Sequence, residues 1–267
     1  MLRHSIILIL VSNSLFASAI TPPPNNAMAL SLGGASATST NTFALENNIG
    51  ALAFAKNQLA INMQNRFGLA EYSTLMLAGN YNLNHSVVGV SYCNASFANL
   101  NTQKVQVGFS RQLSEDLALG VGLNYYRFSS NHNYYKNANV FTFNAGLYYK
   151  INKLLNAGFS ISNPERPLLI RETNERLPAL FRFGADYLIS DKVTIYADAL
   201  QVSEENLQFN GGVEVEVQQL KIRGGFTTNQ SLALGLGYTS KKFFVDFATQ
   251  YHNQLGMSPS LNLGYAF

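Results

Sequence analysis

The chain has 267 residues, of which 47% are hydrophobic and only 12% charged, with a formal net charge of +3. That length allows one domain with a sizeable core, but the charge content is well below the quarter usual in soluble domains. After residue 20 no apolar run approaches the roughly 18 residues of a spanning helix, and the Lys and Arg are scattered, which excludes a helical membrane protein and a basic nucleic-acid surface.

Arg3 and His4 form a short polar n-region, Ser5 to Phe16 an apolar h-region, and Ala17-Ser18-Ala19 a small-residue cleavage site. Residues 1–19 therefore read as a signal peptide, with the mature chain starting at Ile20. Cys93 is the single cysteine and lies well inside the mature chain, so it forms neither a lipidated terminus nor an internal disulfide.

Residues 20–56 are rich in Gly, Ala, Ser, Thr and Asn. Gly33-Gly34 and Asn47-Asn48 are turn signals, and Pro22-Pro23-Pro24 favours an extended start. From Asn57 onward one pattern repeats: segments of eight to twelve residues alternate large apolar with small or polar side chains. In Leu117-Ala-Leu-Gly-Val-Gly-Leu-Asn-Tyr125 the odd positions are large and the even ones are Ala, Gly, Gly and Asn. Period two is the strand signature, because successive side chains point to opposite faces. Fourteen strands are expected, at about 57–67, 72–83, 86–97, 103–114, 117–129, 139–151, 154–163, 179–189, 193–203, 207–217, 220–228, 232–240, 243–252 and 260–267.

The connections alternate in length. Asn84-His85, Asn152-Lys153, Gln218-Gln219 and Lys241-Lys242 are tight, whereas Ser130 to Ala138, Pro164 to Pro178 and Asn253 to Pro259 are longer. Short turns at one end and longer loops at the other mark an all-β, transmembrane antiparallel barrel in an outer membrane, and an even strand count places both termini in the periplasm. A secreted β-sandwich is the competing fold. It fits less well, because the face opposite the large apolar residues is Asn, Gln, Gly and Ser in nearly every strand: Asn62, Gln64, Asn80, Gln106, Asn124, Asn144, Asn156, Gln208 and Asn210 would line a wet lumen. With no Trp present, the 14 Tyr and 18 Phe must supply the interfacial girdles.

The chain ends Ser260-Leu-Asn-Leu-Gly-Tyr-Ala-Phe267, with Leu261, Leu263, Tyr265 and Phe267 on one face. This resembles the terminal signal by which outer-membrane barrels are recognised by the barrel assembly machinery. Two further stretches carry a family resemblance. Leu32-Gly33-Gly34-Ala35, Asn41 and Asn47-Asn48-Ile49-Gly50-Ala51-Leu52-Ala53 resemble the G-G-A … N-P-A-G-L-A opening of barrels similar to the long-chain fatty-acid transporter FadL, a group that includes the PorV and PorQ proteins of type IX secretion. Ile49 stands where that group has Pro. From Gly158 to Phe267, the order Ser162-Asn163-Pro164, Leu177-Pro178, Phe181-Arg182-Phe183-Gly184, Arg223-Gly224-Gly225-Phe226 and Gly264-Tyr265-Ala266-Phe267 resembles the C-terminal half of the PorV/PorQ type. The resemblance implies a fourteen-stranded barrel (57–267) with residues 20–56 folded into it as a plug. A barrel of this width agrees, since about eight strands is the limit that side chains alone can fill.

The inward charges cluster late. A two-residue turn at Gln218-Gln219 sets Glu216 opposite Lys221 and Glu214 opposite Arg223, and Arg182, Asp186, Asp198 and Asp246 also face inward. Such a network fixes register and holds the plug; a selectivity lining is the less favoured role. His85, His132 and His252 fall at turns or outer loops without metal-ligand spacing; His132 and His252 would share the outer rim with loop serines, but nothing sets them apart from solvated loop residues, so no metal, cofactor or catalytic residue is expected. Asn133-Tyr134-Tyr135 and Pro167-Leu168-Leu169-Ile170 make two outer loops partly apolar, suited either to a partner or to folding over the mouth.

Two functions follow. The polar interior argues against a greasy tunnel and the short loops against a capture basin, which favours a PorV/PorQ-like scaffold serving secretion-system proteins or secreted cargo. The alternative is a FadL-like transporter of hydrophobic small molecules. The remaining partners expected are outer-membrane lipid and the assembly machinery.

Overall fold

In a computed structural model, residues 25–97, 100–130, 137–170, 174–229 and 231–267 are described. The expected signal peptide, residues 20–24, His132 and Asn133 to Tyr135 lie outside them.

The described chain opens with two short helices, α1 (Ala27–Ser31) and α2 (Ala44–Asn47), and a 3-10 segment, Ile49–Phe54. Strands follow in chain order. The first seven are β1 Gln58–Asn65, β2 Ser73–Leu83, β3 Ser86–Phe97, β4 Leu100–Gln112, β5 Leu117–Ser130, β6 Ala138–Lys150 and β7 Leu155–Ser162. A small hairpin, β8 Leu168–Ile170 and β9 Glu175–Arg176, comes next. Then come β10 Leu180–Ser190, β11 Val193–Val202, β12 Gln208–Val217, β13 Leu220–Thr227, β14 Ser231–Thr239, β15 Phe243–His252 and β16 Gly256–Ala266. All except β8 and β9 form one closed antiparallel barrel of fourteen strands, each paired with its sequence neighbour and β16 closing on β1.

The alternation read in the sequence sorts side chains between two environments. Along β5, Ala118, Gly120, Gly122 and Asn124 are buried inward while Leu119, Val121 and Leu123 are exposed outward, Leu123 at 72%. The same holds around the wall, where Val107, Phe183, Leu234 and Leu236 are exposed. A contiguous apolar belt of this extent is far beyond the patches that water-soluble monomers carry. Aromatic rings border it. Tyr81, Tyr149, Tyr187, Tyr238 and Phe243 stand at the end with the tight turns, and Phe141, Phe181, Phe209 and Tyr251 at the other.

Several boundaries differ from expectation, and β4 already begins at Leu100 rather than at about 103. β16 begins at Gly256, four residues early, and runs through Pro259. Its ladder to β1 stops at Ser260 opposite Gln64, while Thr249 of β15 still pairs with Pro259. Proline thus sits where one side of the strand is unpaired and a missing N–H costs little. The long connection 163–179 carries the β8–β9 hairpin, since Leu177 N donates to Pro167 O at 2.9 Å and folds the loop back on itself.

Candidate functional site

The lumen is occupied by residues 25–56. Asn26 caps α1 by accepting from Ala29 N at 3.2 Å, and Asn262 Oδ1 of β16 accepts from Ala27 N at 3.0 Å. α1 lies against β14, β15 and β16; the 3-10 segment lies against β4 to β7. Phe43, Leu45, Ile49 and Leu52 are completely buried and meet Met76, Val87 and Tyr148 of the wall.

Backbone approaches wall so closely that inward glycine is required. A Cβ on Gly225 would stand 2.3 Å from Gly33 N, and one on Gly158 2.1 Å from Ala37 O. Gly120 meets Ile49 and Gly50 in the same way, and Gly146 meets Gly50. The small residues on the inward face, which read in the sequence as a lumen lining, therefore form a track for the N-terminal segment. Gly33 and Gly34 turn the chain with φ of +70° and +97°. Asn47-Asn48 does not reverse it. Asn48 is extended (φ −149°, ψ 98°) and breaks α2 from the 3-10 segment. Its side chain caps the 3-10 segment and ties it in place: Oδ1 accepts from Gly50 N, and Nδ2 donates to Ala37 O at 2.6 Å and to Leu147 O of the wall at 2.9 Å.

The expected inward charges fall into two groups. Asp198 and Arg182 hold the segment: Asp198 Oδ2 accepts from Ser36 N at 2.6 Å and Ala37 N at 3.0 Å, and Arg182 Nη1 donates to that oxygen and to Gly34 O at 2.7 Å. Asp186 accepts from Asn156 Nδ2 at 2.9 Å nearby. The second group crosses the wall. Glu214 is opposite Arg223 and Glu216 opposite Lys221 in the β12–β13 ladder. Arg223 lies between two carboxylates, 2.6 Å from Glu214 Oε2 and 2.6 Å from Asp246 Oδ1, with its side chain only 3% exposed. Lys221 reaches Glu214 at 3.0 Å and Glu216 at 3.3 Å; Glu216 stands at the rim, half exposed, outside the buried network.

One buried pair escaped the sequence reading. Lys104 of β4 meets Glu46 of α2 at 2.6 Å, Ser91 Oγ donates to the other Glu46 oxygen at 2.6 Å, and the Tyr126 ring covers the ammonium at 5.6 Å. Both signals were available: Lys104 takes an inward position between Gln103 and Val105, and Glu46 is the single acid in residues 20–56.

At the end with the longer loops the lumen wall turns apolar. Tyr126 and Phe128 stack at 5.8 Å and pack with Val140 and with Leu169 and Leu177 of the long loop. Glu165 anchors that loop by accepting from Thr142 Oγ1 at 2.7 Å and Phe143 N at 3.0 Å, and Arg166 pairs with Glu204. The Pro167–Ile170 stretch thus brings Leu169 over the mouth. The terminal strand turns Leu263 and Phe267 outward, and Tyr265 stacks on Phe267 at 6.3 Å. His85 and His252 join no cluster of metal-ligating groups among the described residues.

No family model matches the chain, and no curated protein matches it. Solved structures do. The CymD monoaromatic hydrocarbon channel aligns with a TM-score of 0.72 at 13% identity, covering 93% of this chain and 99% of that one. The Pseudomonas putida toluene transporter TodX gives 0.68 at 13% identity, over 92% and 99%. A Pseudomonas aeruginosa FadL homologue gives 0.66 at 13% identity, over 93% and 99%. The chain has the fold of the FadL-like fourteen-stranded barrels.

Proposed function

We propose that the protein is a non-enzymatic outer-membrane barrel of a Gram-negative bacterium, exported by the signal peptide at residues 1–19, with both termini periplasmic, and that it passes small hydrophobic molecules. Residues 25–56 act as its plug. The observation that carries the transport reading is the apolar patch of Tyr126, Phe128, Val140, Leu169 and Leu177 inside a mouth whose deeper wall is amide-lined. A small aromatic or aliphatic molecule would leave water for such a patch. The likeness to a monoaromatic hydrocarbon channel and a toluene transporter supports the same choice. The test is uptake of toluene by cells expressing the protein. Tyr126→Asn with Leu177→Asn should slow uptake several-fold at equal outer-membrane levels; unchanged uptake would refute the transport reading.

The PorV/PorQ-like scaffold is the second reading. A scaffold needs no open passage, and what supports it is a lumen filled by residues 25–56 and tied to the wall through ion pairs. Co-purification of secretion-system proteins or secreted cargo from solubilised outer membrane, together with no effect on uptake, would support it.

A further inference from the structure

Among the described residues, the outward face of the wall carries a depression at the tight-turn end of β2. On β2 the outward positions Leu77, Gly79 and Tyr81 run large, absent, large. Outward Gly211 is covered by the Phe226 ring, whose nearest carbon would stand 2.8 Å from an added Cβ; at Gly79 the nearest atoms are the flexible tip of Leu59, at 3.3 Å, and Gln58 O, at 3.6 Å. The result is a groove of about 460 Å³ between Leu59, Gly79, Tyr81, Val88, Val90 and Phe267, at the end where β1 begins and β16 finishes.

Beside it stands Arg111. It is exposed on the outward face of β4, opposite Ser86, which shares the outward row of β3 with Val88 and Val90. Among the described residues it is the one charge on the outward strand positions at that end, and it has no ion-pair partner there. Glu115 and Asp116 lie in the following turn, and the Phe267 carboxylate at the rim; Lys56, His85, Lys241 and Lys242 are exposed around them. A guanidinium where the apolar belt ends is suited to an anion at headgroup depth, since its planar fork matches phosphate oxygens.

We propose that this groove is a binding site for an anionic glycerophospholipid, one acyl chain lying in the Gly79 depression and the phosphate on Arg111. The proposal rests on the reading of the belt as membrane-embedded. It is distinct from any passage through the lumen.

The chain has no Trp, so Tyr81→Trp places a unique fluorophore in the groove. The variant is reconstituted in phosphatidylcholine vesicles containing either brominated phosphatidylglycerol or brominated phosphatidylcholine. Ile195→Trp, outward on the opposite wall, supplies the bulk reference. Half-maximal quenching of the groove Trp is expected at about fivefold lower phosphatidylglycerol than phosphatidylcholine, the factor that corresponds to about 1 kcal/mol per basic residue near an anionic surface. Arg111→Gln should abolish that preference, and Gly79→Leu should reduce quenching by both lipids. Equal quenching by the two lipids in Tyr81→Trp, or a preference that survives Arg111→Gln, would overturn the site. Absence of quenching at both Trp positions would instead overturn the membrane reading itself.

Discussion

Replacing Arg223 with Ala isolates the energetics of the lumen. The guanidinium makes two charge-assisted bonds of 2.6 Å, to Glu214 and Asp246, with almost no solvent contact. Its removal leaves Asp246 with only the Asn262 amide at 3.3 Å, while Glu214 keeps Lys221 at 3.0 Å. Breaking a buried pair from one side costs about 3–5 kcal/mol, most of it the burden of the stranded charge. A second change that neutralises the worse-stranded partner must therefore recover part of the loss. Arg223→Ala is expected to destabilise the barrel by about 3 kcal/mol or more. Asp246→Asn added to it should return about 1–2 kcal/mol, and Glu214→Gln less, because Glu214 retains a cation. Urea unfolding from lipid vesicles, followed by circular dichroism, measures the double-mutant cycle. A cost for Arg223→Ala below about 1 kcal/mol, the range of solvated surface pairs, with zero coupling to Asp246, would refute the reasoning.

Glu46→Ala should strand Lys104 and lower stability by about 3 kcal/mol, whereas Glu46→Gln with Lys104→Met should lose less than the single change, measured by the same unfolding assay. Gly158→Val should push its side chain into Ala37 and raise ion conductance in planar bilayers, while outward Gly224→Val, whose nearest neighbour is Leu234 at 3.8 Å, should leave it unchanged. Deleting Phe267 removes an exposed aromatic and the bond from its N–H to Asn57 O at 3.1 Å, just past the ladder that closes β16 on β1; heat-modifiable barrel in the outer membrane should fall several-fold, with protein accumulating in the periplasm.

The strands were legible because the wall separates lipid from interior at every second residue, so a simple alternation carries both strand and facing. Register at Gln218-Gln219 was equally open to reading, since a two-residue turn leaves one pairing. The start of β16 was hidden because Pro259 reads as a breaker unless it is known that the ladder to β1 stops at Ser260, just short of it. Glu46 and Lys104 stand 58 residues apart, and no local pattern links them; only the count of charges within residues 20–56 and the inward face of β4 does. In the sequence the inward glycines are simply small residues on the lumen face. Their purpose, to let Gly33, Ala37 and Gly50 approach the wall, depends on packing that no single strand encodes.

The central claim is a membrane barrel whose lumen is closed by its own N-terminal segment, and single-channel recording in planar bilayers tests it most directly. Intact protein should show no large steady conductance. Protein lacking residues 25–56, refolded and verified by its heat-dependent migration, should open wide steady channels. Large steady channels in the intact protein would contradict the account.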